Sequence, residues 1–291
     1  MIVNEFIQQY ESTIRLSVFL GVFSLMALWE VFAPRKQLVI GRGSRWLTNW
    51  ALVVIDSVAV RILVPVLAVA WAEQVALKGW GLFNLISMPG WLEFILAIIV
   101  LDMLIYWQHV ASHYIPLLWH IHKVHHADRD IDVTTGARFH PIEIVVSMFF
   151  KLFCILVLGP AAIAVFVFEV LLNASAMFNH SNIKLPKNLD TQIRKVIVTP
   201  DMHRVHHSVI EHETNSNYGF FLSIWDRLFK SYIDQPSAGH DEMIIGLKSL
   251  QSSEPSNLWW TIKAPFLSVA QQTQASTVSG VSRASTISEE E

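Results

Sequence analysis

Long apolar stretches separated by short polar segments make up most of the first two thirds of the chain. A helix that crosses a bilayer needs roughly 17 to 25 predominantly apolar residues. Three segments meet this requirement: 16–33, 51–72 and 91–107. Residues 142–172 are also apolar, but Gly159 and Pro160 interrupt them, so we expect two half-length helices in a hairpin. The pattern predicts an all-α, integral-membrane helical bundle of about three spanning helices plus a broken helical hairpin.

The composition agrees with a membrane protein. Hydrophobic residues make up 53% of the chain and charged residues only 15%, against about 25% charge in a typical soluble domain. The formal net charge of -3 provides no basic footprint for nucleic acid. Charged residues inside apolar segments are costly in lipid. Asp56 and Arg61 are two such residues, and we expect them to pair with each other or to reach the membrane surface from the helix end.

The basic residues between the apolar segments predict the orientation. Four of them follow the first segment: Arg35, Lys36, Arg42 and Arg45. The loop after the second segment has only Lys78. Because cytoplasmic loops carry an excess of Lys and Arg, we expect the first loop to be cytoplasmic. The third segment then returns to the cytoplasm, which predicts a histidine-rich helical cap on the cytoplasmic face of the inner membrane.

The distribution of polar residues suggests four regions. We expect membrane helices and loops over 1–90, a histidine-rich catalytic domain over 91–235, a polar and interfacial segment over 236–270, and a disordered tail over 271–291. The tail is rich in Ser and Thr and ends in three glutamates, a composition that cannot build a core. Residues 257–266 are rich in aromatic side chains, which suits either the bilayer interface or packing on the protein itself.

Eight histidines form three groups with helical spacing. They are His109 and His113; His122, His125 and His126; and His203, His206 and His207. Residues three and four apart lie on one face of a helix, so each group points its imidazoles the same way. Imidazole is a good ligand for iron, zinc and copper. Eight imidazoles exceed what one metal ion uses, and the spacing therefore predicts two metal ions that share them.

The last group also has its own helix start. Thr199 is a suitable N-cap, Pro200 suits the first helical position, and Asp201 favours the positive end of the helix. His180, which follows the predicted hairpin, is a candidate ninth ligand.

Metal-bound histidines usually need an acceptor for their second ring nitrogen. Candidates for such a supporting role are Asp102, seven residues before His109; His140, just before the hairpin; and Asn217, after the last group. Asp128, Asp130 and Asp132 are weaker candidates. The remaining histidines, His120, His212 and His240, lack helical spacing to the groups and are expected to be bystanders.

Four segments resemble the fatty acid hydroxylase/sterol desaturase superfamily, and in particular its bacterial sterol-desaturase-like members. They are LDMLIYWQHVASH, WHIHKVHH, VTPDMHRVHH and NYGFFLSIWDRLF, and the match runs from about residue 102 to residue 232. The resemblance implies a non-haem di-iron centre that activates O2 to hydroxylate or desaturate a C–H bond of a membrane lipid. It also implies that the eight grouped histidines are iron ligands, with a further ligand after the hairpin, which matches His180.

The chain departs from the usual pattern of this superfamily at three places. Val110 follows His109 where an arginine is frequent, Lys230 and Ser231 replace a Gly-Thr pair, and His120 stands where a basic residue is frequent. None of these departures removes a predicted ligand. They bear on the substrate, which the sequence does not name.

Two other functions are compatible with clustered histidines. A zinc-dependent lipid hydrolase or isomerase would need only three or four ligands per metal. A non-catalytic metal-binding membrane protein would place its ligands near the bilayer midplane, as transporters do. The number and the position of the histidines favour the oxidoreductase. Such an enzyme needs an external electron-transfer protein, because the sequence contains no C-x-x-C-H motif and no dinucleotide-binding glycine fingerprint.

Overall fold

The computed structural model describes residues 2–267, and these contain helices and no β-strands. The α-helices are α1 (Ile2–Phe32), α2 (Gly43–Leu63), α3 (Ala68–Leu77), α4 (Leu82–Leu85), α5 (Gly90–Tyr114), α6 (Pro116–His126), α7 (Pro141–Leu158), α8 (Ala162–His180), α9 (Lys187–Ile193), α10 (Pro200–His206), α11 (Glu211–Thr214), α12 (Ile224–Leu228), α13 (Gly239–Glu242) and α14 (Leu258–Lys263). Three single turns of 3-10 helix cover Thr135–Ala137, Glu254–Ser256 and Ala264–Phe266. The predicted all-α class is confirmed. The tail over 271–291, predicted to be disordered, lies outside the described residues.

Five segments are long and apolar enough to cross a membrane, as expected for a multi-pass membrane protein. They are Gln9–Phe32, Gly43–Leu85, Gly90–Tyr114, Pro141–Leu158 and Ala162–His180. The break at Gly159 is confirmed: this residue adopts a positive φ of 64° and caps helix α7. The two halves are not half-length, however, because they contain 18 and 19 residues. The apolar run ends at Leu172, whereas helix α8 continues through polar residues to His180.

The second predicted segment is not one helix. Helix α2 ends at Leu63, and Val64 adopts an extended conformation before Pro65. A residue before proline disfavours the helical region, which explains the break. The expected pairing of Asp56 with Arg61 is wrong: no ion pair joins them, and one carboxylate oxygen of Asp56 has no hydrogen-bond partner. Residues five apart on a helix point about 140° away from each other, so their side chains diverge.

Helix α8 lies at the centre of the bundle. It contacts helices α1, α3 and α5 along its length and helix α10 near its end. Its buried Val165, Phe166 and Phe168 belong to the largest apolar cluster, together with residues of α3, α5 and α7. Because α8 packs on so many elements, the position of its last residue, His180, is fixed relative to the other histidines.

Part of the C-terminal segment packs on the protein itself, which is one of the two alternatives that its composition allowed. Trp260 is buried and packs with Val124 and Ala127, at the end of helix α6. Trp259 and Phe266 are largely exposed. Trp260 therefore supports the histidine-bearing helix α6, while the exposed Trp259 and Phe266 are aromatic side chains of the kind that suit a bilayer interface.

Candidate metal centre

Four helix ends bring the histidines together. Helix α5 supplies His109 and His113 from its last turns, and helix α8 ends at His180. Helix α6 carries His122, His125 and His126, and helix α10 carries His203 and His206, with His207 as its C-cap. The predicted start of α10 is confirmed, since the Thr199 hydroxyl accepts a hydrogen bond from the Met202 amide and Pro200 is the first helical residue.

The nine predicted ligands separate into two adjacent groups. One contains His109, His113, His122, His126 and His206, and the other contains His125, His180, His203 and His207. Within each group, one ring nitrogen from every residue lies within 4.8 Å of the others. No Asp, Glu or Cys of the described residues joins either group. Helices α6 and α10 each contribute histidines to both groups. In each helix two consecutive histidines, His125 and His126 or His206 and His207, point in different directions.

The outward-facing Nδ1 atoms of six histidines have acceptors. The Nδ1 atom of His109 donates to the Tyr218 carbonyl oxygen at 2.8 Å, and that of His206 donates to the Ser216 carbonyl at 2.7 Å. Four further pairs follow the same arrangement: His125 with the Arg138 carbonyl (3.0 Å), His180 with the Ala176 carbonyl (2.7 Å), His113 with the Asn215 side-chain oxygen (3.2 Å) and His122 with the Glu143 carboxylate (2.6 Å). An acceptor-only partner requires the proton on Nδ1, which leaves Nε2 as a lone pair.

These lone pairs face each other. The Nε2 atoms of His109 and His122 are 3.2 Å apart, and those of His125 and His180 are 3.1 Å apart. In each pair both neutral imidazoles carry their single proton on Nδ1, so no hydrogen bond can form between the two Nε2 atoms. The buried Nε2 atoms of His113 and His206 have no partner at all. A cation in each group would satisfy all of these nitrogens, so the residues fit two metal ions.

Burial keeps the histidines outside the membrane segments neutral. The pKa values of His125, His126, His203, His206 and His207 lie well below the ordinary 6.5, first because burial disfavours the imidazolium and then because the neighbouring imidazoles repel a second charge. Neutral imidazole is the form that binds a metal ion. The site is therefore prepared for metal at neutral pH.

Residues 94–231 match the sequence profile of the fatty acid hydroxylase family. The match contains all nine histidines and confirms the resemblance of the motifs. This segment of the chain is therefore similar to a fatty acid hydroxylase domain.

Curated relatives of this domain are similar over part of their length. The ornithine lipid hydroxylase OlsE of Rhizobium tropici is 26% identical over 225 residues, which cover 75% of this chain and 67% of that protein. The alkylglycerol monooxygenase of Xenopus tropicalis is 31% identical over 54% of this chain and 34% of its own length. The lathosterol oxidase of Rattus norvegicus is 27% identical over 49% and 47%. The chain thus spans about a third of the monooxygenase it matches. No solved structure is significantly similar.

Two of the three residues predicted to support the metal centre, Asp102 and His140, make their hydrogen bonds elsewhere. Asp102 accepts hydrogen bonds from the Leu222 amide and the Trp225 indole, and it contacts no histidine. It therefore holds the loop that follows Tyr218, whose carbonyl accepts from His109. His140 caps helix α7 and lies 3.1 Å from the Ile262 carbonyl.

Asn217 acts on the backbone around the last histidine group. It adopts a positive φ of 48°, which asparagine tolerates better than most residues. Its side-chain nitrogen donates to the carbonyls of Met202 and Ile233, and its oxygen accepts from the Ile233 amide. Asn217 thus ties helix α10 to the segment that follows α12.

Two residues that support the histidine groups were not predicted from the sequence. Glu143 bonds to His122, although it lies twenty-one residues away in the sequence. Arg45 is fully buried and bonds bidentately to Asp128 at 2.6 and 2.9 Å and to Asp132 at 2.7 Å. Burial opposes the ionisation of Asp128, but the Arg45 guanidinium outweighs it and holds the pKa of Asp128 below its usual range. The only indications in the sequence were that the acidic Glu143 follows His140, and that a run of aspartates follows the histidines of α6 and could pair with the basic loop before α2.

The aspartates and the remaining histidines lie outside both groups. The backbone amides of Val39 and Ile40 donate to Asp130, so this residue holds the loop before α2. His120 and His212 are exposed. His240, expected to be a bystander, is buried in helix α13 at 3.7 Å from Asp201, and burial lowers its pKa to about 4.

A cavity of about 570 Å³ leads from the centre into the helix bundle. His109 and His122 of the first group line one end of it, and Phe139, Phe220 and Glu143 surround the same end. The ring of Phe139 stacks on His125 with centroids 4.8 Å apart. The volume is typical of a pocket for a small molecule or a cofactor. The cavity therefore connects the interior of the helix bundle with His109 and His122.

Proposed function

We propose that this protein is a membrane-bound, O2-dependent oxidoreductase that hydroxylates or desaturates a C–H bond of a membrane lipid at a non-haem di-iron centre. The observation that carries the proposal is the pair of adjacent histidine groups at the end of a cavity within membrane helices. The names of the relatives support lipid oxidation, since they include a lipid hydroxylase, a monooxygenase and a sterol oxidase.

The composition of the two groups favours redox chemistry over hydrolysis. Zinc enzymes use three or four protein ligands per metal and keep a position for water. Here five and four imidazoles face each other, which is more than two hydrolytic zinc ions would need. An unactivated C–H bond requires an oxidant that side chains cannot supply, and two bound irons would supply it from O2.

The residues of the chain would hold, orient and enclose this centre. The Nδ1 hydrogen bonds fix the rotation of six imidazoles, so their Nε2 atoms are already directed inward before a metal binds. Glu143 increases the basicity of His122 by accepting its Nδ1 proton. Phe139 and Phe220 cover the end of the cavity and exclude water. A lipid chain bound in this cavity would lie next to His109 and His122.

The proposal includes the surroundings of the enzyme. The substrate is a membrane lipid, and electrons come from a separate donor protein. We propose that the histidine groups face the cytoplasm of an inner membrane, because Arg35, Lys36, Arg42 and Arg45 all lie at the same end of the bundle as the histidines. A cysteine introduced at Asp241, which is exposed on that side, should react with an impermeant thiol reagent only after the membrane is opened.

Two measurements test the reaction class. Purified protein reconstituted with iron should bind close to two irons per chain, and product formed under isotopically labelled O2 by hydroxylation should contain the label. Desaturation should instead consume O2 in proportion to product without labelling the lipid. Product that contains oxygen only from water, with zinc in both sites, would establish the hydrolase instead. One tightly bound metal per chain at full loading would contradict the dinuclear centre.

A further inference from the structure

The end of the cavity farthest from the histidines is lined by charged and polar side chains. They come from helices α1, α2, α7 and α8 and include Glu11, Arg15, Arg61, Lys151, Glu169 and Asn173. Glu169 precedes His180 by eleven residues of one helix, which places it about 16 Å from the centre along the axis. A hydrocarbon chain gains nothing from such surroundings, and desolvating them is costly. The lining instead suits a polar group.

Most of these charges neutralise each other. Glu169 accepts hydrogen bonds from Arg15 at 2.7 Å and from Lys151 at 2.6 Å. The guanidinium of Arg15 also bonds to Glu11 at 2.8 Å. These two acids and two bases form one continuous network with no net charge.

Arg61 is the exception. It lines the same cavity but makes no hydrogen bond or ion pair within residues 2–267. Asp56 lies five positions earlier on the same helix and does not line the cavity. An unpaired cation inside an apolar segment is costly and marks a candidate site.

A second cavity meets the first at Arg61. It has a volume of about 470 Å³ and lies between helices α1, α2 and α8. Both cavities are lined by Ser12, Arg15, Arg61 and Asn173. Leu16, Phe19 and Val53 form the apolar part of the second cavity, so it offers a lateral way in from lipid. The unpaired guanidinium is located where the two spaces join, with serine and asparagine side chains beside it.

We infer that Arg61 binds the anionic group of a lipid, a carboxylate or a phosphate, whose hydrocarbon chain lies along the main cavity toward His109 and His122. The guanidinium pairs bidentately with either anion, and Ser12 and Asn173 are near enough to the same space to add hydrogen bonds. The reacting carbon then lies far along the chain from the anionic group, by about the 16 Å that separate the two ends of the cavity. This inference rests on the proposed function, since it names the class of lipid that the centre would oxidise.

Competition binding tests the inference without any turnover. A photoreactive hexadecanoic acid is crosslinked to the purified protein in detergent, at a pH where its carboxylate is ionised. Unlabelled palmitate, hexadecyl phosphate and the neutral hexadecanol then compete for the site. The wild type should prefer the anions over hexadecanol by on the order of tenfold, which corresponds to about 1.4 kcal/mol. Comparison of palmitate with hexadecyl phosphate identifies which anion the site takes.

Substitution of Arg61 supplies the decisive comparison. Arg61→Gln should bind all competitors as weakly as hexadecanol, whereas Arg61→Lys should keep part of the preference. Lys78→Gln removes the same charge from an exposed loop outside the cavity and should behave as the wild type. Equal preference for anions in the wild type and in Arg61→Gln would overturn the inference, as would a wild type without preference. Iron content and O2-dependent oxidation, which test the proposed function, are measured in separate experiments. Failure of the anion preference can therefore be distinguished from failure of the proposed function.

Discussion

The Nδ1 atom of His122 lies 2.6 Å from a carboxylate oxygen of Glu143, across the two elements that enclose the end of the cavity. This contact fixes the imidazole and leaves its Nε2 atom for a metal. We expect Glu143→Gln to lower metal affinity or turnover by about 10 to 100-fold, because an amide is a weaker acceptor than a carboxylate. Metal titration followed by turnover measurement checks this. Glu211→Gln changes an exposed acid and should have no effect; equal behaviour of the two variants would refute the role of Glu143.

Two alanine substitutions should each empty one metal site. His206 belongs to the group of five and His125 to the group of four. We expect His206→Ala and His125→Ala to reduce bound iron from two toward one per chain and to abolish turnover, because both ions are needed to activate O2. Elemental analysis with simultaneous protein quantification measures this. His212→Ala, at an exposed position, should keep both metals. Retention of two irons in His125→Ala would disprove the assignment.

Gly136 is a position where a methyl group should damage the centre indirectly. A Cβ atom there would lie 2.5 Å from the Ala176 carbonyl oxygen, which accepts the Nδ1 proton of His180. Gly136→Ala should therefore displace this backbone, rotate His180 and weaken metal binding in the group of four. Gly43→Ala, where nothing lies within 4 Å, is the matched control. Normal iron content in Gly136→Ala would show that the backbone adapts.

The buried Arg45 should be essential for folding around the centre. It joins the start of helix α2 to Asp128 and Asp132, which directly follow the histidines of α6. Arg45→Met leaves these acids without a partner, and we expect a loss of about 3 to 5 kcal/mol of stability. Thermal unfolding in detergent measures it. Arg42→Met affects a partly exposed side chain 3.7 Å from Glu30, and a similar loss there would mean that the effect is not specific to the buried network.

The metal-free protein should lose stability as the pH falls below about 6.5, the ordinary value for histidine. Burial lowers the pKa of His125, His126, His203, His206 and His207 in the folded chain. Below pH 6.5 the histidines bind protons in the unfolded chain but not in the folded chain. The free energy of unfolding therefore falls by about 1.4 kcal/mol per pH unit for each histidine. Unfolding temperatures across this range check the slope. His212→Ala should show the same dependence of unfolding temperature on pH as the wild type. An unfolding temperature that does not change with pH would contradict the lowered pKa values of the buried histidines.

The sequence by itself determined the helical class, the apolar segments and the nine histidines that converge. This was possible because spacing of three and four residues sets which side chains share a helix face, and this is a local property. The start of helix α10 could also be predicted, because N-capping by Thr199 and the preference of Pro200 for the first helical position are local properties too. Binding of metal by these histidines stays a prediction, as do the four regions along the chain.

Only the tertiary structure decided how the histidines divide and what supports them. His125 and His126 are neighbours in one helix, yet they belong to different groups, because the ring of His126 contacts His113 of helix α5 and that of His125 contacts His180 of helix α8. Most acceptors of the Nδ1 protons are backbone carbonyls, which every residue has and no motif reveals. The roles of Glu143 and Arg45 depend on partners that are distant in the sequence, and the role of Arg61 depends on the lack of such a partner. Packing between segments fixes such relationships, and the pattern along one segment does not contain them.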